Sequence, residues 1–223
     1  MGNSILITND AQGKFTIRPN STLGIILQSI YDSYSPFLTA LSSHPNKNLS
    51  SEKALVQEFV IQNDIQLRKH IILRVEKEYT DNFYGTKGIP DFAYLPLEEG
   101  VSHEPLFIVE AKILPAPDNT TVREKEYVIG HNNNGGIERF KIGKHGIGVN
   151  FCGLIGFIKD DKTANDWMQK INSWIIEKSN DEPLVWSSNE TLQEDAEFKN
   201  IVSLAKRKSD NILLIHFFIS IDI

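Results

Sequence analysis

Residues 105–114, PLFIVEAKIL, decide how this chain is read. Apolar residues fill the stretch except at Glu110 and Lys112, and turn-forming residues flank it, which is the pattern of a buried strand. Successive side chains of a strand point to opposite faces. Glu110 and Lys112 therefore share one face, and Val109 and Ala111 share the other. An acid and a cation on a buried strand are costly unless they are paired with each other or with something else. Just upstream, residues 89–97, IPDFAYLPL, read as a second strand, and its pairing with the first brings Asp91 alongside Glu110.

Working outward, residues 70–80, HIILRVEKEYT, make a third strand, rich in β-branched side chains. Before it, residues 50–67 form a helix that Ser50 or Ser51 caps and that carries Glu58. Residues 21–41 show helical spacing, with Ser21 or Thr22 as cap and a kink or break expected at Pro36. Downstream, residues 135–146 predict a short helix, 148–160 a buried strand and 163–178 an amphipathic helix, whose apolar face is Trp167, Ile171, Trp174 and Ile175. Residues 192–210 look helical, and 211–223 look like a last strand with a potentially uncovered edge. The expected plan is α/β: a central mixed β-sheet flanked by helices, in the order α-β-β-β-α-β. It spans residues 50–223, behind an accessory helical segment over residues 1–49.

Phosphodiester hydrolysis calls for a hard divalent cation on oxygen ligands and a group that activates or orients water. Asp91, Glu110 and Lys112 supply those parts. Pro90-Asp91 followed, after an interval of 18 residues, by Glu110-Ala111-Lys112 resembles the signature of the PD-(D/E)XK, or restriction-endonuclease-like, nucleases, and the order of elements from Ser50 to Lys159 resembles theirs too. The resemblance implies catalytic roles for Asp91, Glu110 and Lys112. It also implies Mg²⁺, with Mn²⁺ as a substitute, held by Asp91, Glu110, the carbonyl of Ala111 and Glu58, while Lys112 positions or deprotonates the water. Further expectations are DNA as the nucleic-acid partner, a role in restriction or another antiviral defence, and a homodimer or an activating protein. The competing expectation is a non-catalytic or partner-activated binding subunit on the same fold.

The stretch from Asn132 to His145 follows these strands and combines glycines with basic residues. Arg139, Lys141, Lys144 and His145 are candidate substrate contacts, and Gly135 and Gly136 would let a nucleic-acid strand approach the backbone closely. His131, the asparagines and His145 lack the hairpin of an HNH nuclease. Glu76 and Glu78 share a face and either enlarge the acidic site or simply face water. The run Lys206-Arg207-Lys208 suggests a phosphate contact, although cations at a helix end would explain it as well.

The 223 residues include 40% hydrophobic and 23% charged side chains, and no apolar run is long enough to cross a bilayer. The start, MGNSILITND, lacks a secretory pattern, and Leu6 does not suit myristoylation of Gly2; a cytoplasmic protein without a membrane is expected. Cys152, the sole cysteine, excludes an internal disulfide and reads as a buried thiol. A net charge of −6 disfavours a protein that grips a polyanion with its whole surface, so any phosphate contact must be local.

Overall fold

The computed structural model describes residues 8–9, 15–16, 21–43, 51–117, 121–195 and 200–221. Gly2, Leu6, Ser50 and residues 44–49 and 118–120 lie outside the described residues. Two short strands, β1 (Thr8–Asn9) and β2 (Phe15–Thr16), pair antiparallel. Helices α1 (Thr22–Asp32), α2 (Tyr34–Ser42) and α3 (Glu52–Leu67) lead to strands β3 (Leu73–Lys77), β4 (Phe92–Pro96) and β5 (Phe107–Leu114). Then come α4 (Thr121–Glu124), α5 (Gly136–Lys141), β6 (Phe151–Ile158) and α6 (Ala164–Asp181). A 3-10 turn at Ser188–Glu190 precedes β7 (Gln193–Asp195), β8 (Asn200–Lys206) and β9 (Asn211–Ser220).

Seven strands form one mixed sheet in the order β3-β4-β5-β6-β9-β8-β7. The central strands β5, β6 and β9 run parallel, and the outer pairs are antiparallel. β5 is buried along its whole length because helices cover both faces. Phe107, Val109, Ala111 and Ile113 pack into the cluster under α1, α2 and α3, while Ile108 and Leu114 join α5 and α6. Glu110 and Lys112 interrupt that second face.

Local chemistry explains the helix boundaries. The Ser51 side chain accepts from Ala54 N at the start of α3. Thr163 and Asp166 cap α6 reciprocally, and Trp167, Ile171, Trp174 and Ile175 bury the predicted face, contributing about 1.5–3 kcal/mol each. The break between α1 and α2 falls at Ser33 rather than at Pro36, which sits in the first turn of α2, where its missing N–H goes unneeded. Ser29 and Ser33 receive hydrogen bonds from Asn63 of α3, and Asn63 in turn accepts from the Tyr94 hydroxyl of β4. That buried network ties α1 and α2 to the main sheet.

Two expectations fail. The stretch 192–210 is not helical but contains β7 and β8, which pair with each other and, through β8, with β9. Residues 196–199 within it lie outside the described residues. The last strand is not an edge either: β9 has β6 on one side and β8 on the other, so its ladder groups are already paired. No helix among the described residues is long and apolar enough to cross a membrane.

A candidate functional site at the fork of two strands

β4 and β5 pair over three rungs only, from Phe92–Val109 to Tyr94–Phe107, although β5 continues to Leu114. Beyond Val109 the strands part, and β5 presents N–H groups with no strand opposite. Carboxylates take the place of the missing strand. Asp91 Oδ2 accepts from Ala111 N at 2.7 Å, and Glu52 Oε2, from the first turn of α3, accepts from Ile113 N at 3.3 Å. Buried backbone donors need such partners, so the fork itself recruits acids.

Lys112 lies between them. Its Nζ is 2.9 Å from Glu110 Oε1, 3.0 Å from Glu52 Oε1 and 2.7 Å from the Ala111 carbonyl. Burial alone would lower the ammonium; the charges of Glu110, Glu52 and Asp91 instead raise it above its ordinary value. Arg139, on α5, also donates to Glu110 Oε1. Burial pushes the Glu110 carboxyl upward, but Lys112, His145 and Arg139 outweigh it and hold the group down at about 2. Asp91 shares this surrounding with the carboxylates of Glu110 and Glu52 and is itself deeply buried. Burial first, then the charge of Glu110, raises its carboxyl to about 7.

His145 completes the surroundings of Glu110. Its Nδ1 is 2.9 Å from the Lys144 carbonyl, which can only accept, so the hydrogen-bond pattern assigns the proton to Nδ1. Nε2 faces Glu110 Oε2 at 3.3 Å with both atoms buried, and a proton on Nε2 would pair the two. No group of three or more His, Cys, Asp and Glu side chains among the described residues converges as a metal-binding cluster. A Mg²⁺-like ion needs less, since one or two carboxylates suffice when waters fill the remaining positions. Asp91, the unsatisfied Oε2 of Glu110 and the second lone pair of the Ala111 carbonyl fit such an ion.

Other sequence candidates lie elsewhere. Glu58 is buried on α3 and accepts from Gln62; the helical pitch turns it to a different side from Glu52, so Glu52 is the acid that α3 brings to Lys112. That acid looks in sequence like ordinary support for a helix start. Lys141 is buried against Glu190 and donates to the Lys206 carbonyl, because two residues of helix turn it away from Arg139. Lys144 is bound to the carbonyls of Asn132 and Asn133. Glu76 pairs with Arg74, while Glu78, with a φ of 52°, lies near Lys53 and Lys77.

The glycines serve the fold in a way the sequence did not suggest. A Cβ on Gly135 would fall 2.3 Å from the Ile129 backbone, and one on Gly136 would fall 2.7 Å from the Tyr127 carbonyl. Their close approach is to this chain's own 127–129 segment, which seats α5 and thereby Arg139. Burial raises the Cys152 thiol to about 12, in line with an inert side chain. A separate set, Tyr127, His216 and Ser203, is hydrogen-bonded entirely within the core, and burial lowers His216 to about 3. Comparison with protein-family models, curated proteins and solved structures finds no match to this chain.

Proposed function

We propose that this chain is a metal-dependent endonuclease of the restriction-endonuclease-like kind, acting on DNA phosphodiester bonds. The observation that carries the reading is the convergence of Asp91, Glu110 and Lys112 at the fork, where burial and then the charge of Glu110 raise Asp91 to about 7. The α/β plan, with a mixed sheet and the order α3, β3, β4, β5, α4, α5, β6, is compatible with that reading. Asp91, Glu110 and the Ala111 carbonyl would hold Mg²⁺, which supplies Lewis acidity and a water of lowered pKa. Lys112 stays protonated among its carboxylates, so it donates to the attacking water or a phosphate oxygen and does not act as the base. Arg139 is placed to leave Glu110 for an incoming phosphate, which it can grip with two parallel donors.

One observation favours a second reading, a partner-activated subunit: Lys112 and Arg139 both occupy Glu110 Oε1, so the cluster is closed on itself. The test incubates the purified chain with plasmid, single-stranded DNA and RNA, with Mg²⁺, with Mn²⁺ or with chelator. Expected is metal-dependent cleavage of DNA that drops at least about 100-fold in Asp91→Ala, Glu110→Gln and Lys112→Ala. Cleavage in chelator, or cleavage unaffected by these changes, refutes the site.

A further inference from the structure

Two residues along α5 from Arg139, Lys141 and its neighbour Ile142 line a cavity of about 820 Å³. Its other walls come from Gly143, Ile147, residues 183–187, Glu190 and residues 206–210 at the turn between β8 and β9. One side is apolar and wet: Ile142, Ile147 and Val185 are exposed, and Leu184 is 100% exposed. A contiguous apolar patch of that kind marks a contact surface more often than a solvent-facing one.

The other side is cationic. Lys141 is neutralised by Glu190, and Arg207 by a bidentate pair with Asp210. Lys206 and Lys208 are exposed and have no carboxylate partner among the described residues. These lysines end a strand, not a helix, so a helix dipole does not account for them. In a chain of net charge −6, two exposed cations with no carboxylate partner among the described residues stand above an apolar wall.

We propose that this cavity holds a nucleotide unit of a nucleic-acid strand, with its base against Leu184 and Val185 and its phosphates on Lys206 and Lys208. The volume suits such a ligand. A carboxylate side chain would use the lysines but leave the apolar wall exposed, whereas a nucleotide covers both. The cavity is braced to the fork, because Arg207 Nη1 donates to the Gly146 carbonyl at 2.9 Å, one residue from His145. The inference rests on the nuclease reading for the identity of the strand, and it adds the grip that the acidic surface otherwise lacks.

Fluorescence anisotropy with a labelled short single-stranded DNA, in chelator so that only binding is read, tests the assignment. All substituted residues are exposed, and thermal melts confirm intact folding. Lys206→Glu/Lys208→Glu should bind at least about tenfold more weakly and flatten the slope of log affinity against log salt by about 1.4, which is two phosphates at about 0.7 each. Leu184→Ala should weaken binding without changing the slope, and Arg68→Glu/Lys69→Glu, with the same charge change just past the end of α3, should leave the slope intact. Unchanged affinity and slope in the double variant overturn the proposal. So does a wild-type chain that ignores the strand, binds a free mononucleotide equally well, or prefers an acidic peptide. Cavity-dependent binding without metal-dependent cleavage sinks the nuclease reading and spares the cavity; cleavage and binding indifferent to Lys206 and Lys208 do the reverse.

Discussion

Replacing Asp91 by asparagine should stabilise this protein at alkaline pH while abolishing its activity. The side chain keeps an oxygen that can accept from Ala111 N, and only the charge is removed. Burial, followed by the charge of Glu110, raises the Asp91 carboxyl from 3.8 to about 7. An unfolded chain releases that proton near pH 4, so between about pH 4 and 7 the folded state holds a proton that the unfolded state has lost. The associated stability is complete below about pH 4 and disappears as the pH rises through 7. At about 1.4 kcal/mol per pH unit the loss is about 4 kcal/mol, and partial solvent access to Asp91 reduces it to about 2–4 kcal/mol. Asp91→Asn is neutral throughout and escapes the loss. In chelator at pH 8 it should melt roughly 5–10 °C above wild type, and urea titrations should show the two converging near pH 4. Added Mg²⁺ should raise the wild-type melting temperature and leave that of the variant in place. A variant no more stable than wild type at pH 8, or a gap that persists unchanged at pH 4, refutes the electrostatic account of the fork.

Lys141→Met strands the Glu190 carboxylate in a site where both side chains are 2% exposed; chemical denaturation should register a loss of about 3–5 kcal/mol, and a loss below about 1 kcal/mol would show the pair to be dispensable. Gly135→Ala forces the Ile129 backbone to move, so α5 should shift and carry Arg139 away from Glu110. A destabilisation above about 2 kcal/mol together with impaired cleavage is expected, and wild-type values for both would contradict the seating of α5.

The elements around Glu110 and Lys112 were legible because each carries a local signal: an almost continuous apolar run in β5, turn residues at its ends, and a serine ahead of α3. The stretch 192–210 was not, since Leu192, Ala205 and its many Glu and Lys residues favour a helix in isolation. Only pairing with β9 overrides that preference, and pairing is a property of two distant segments. Glu52 escaped notice for the same reason. What makes it part of the cluster is the unpaired N–H of Ile113, sixty-one residues away. Arg139 and Lys141 looked equivalent in sequence, yet α5 sends one to Glu110 and the other to Glu190.

The early parting of β4 from β5 also sets how readily this arrangement can be lost in descent. Four more rungs of pairing, out to Ile113, would give a more regular ladder and would seat β4 backbone where the Asp91 and Glu52 carboxylates now hydrogen-bond. Reactivity here depends on a sheet that stops zipping in time. Substitutions at residues 87–90, which lead into β4, that let pairing run on past Val109 would silence the chain without touching a single one of its acids.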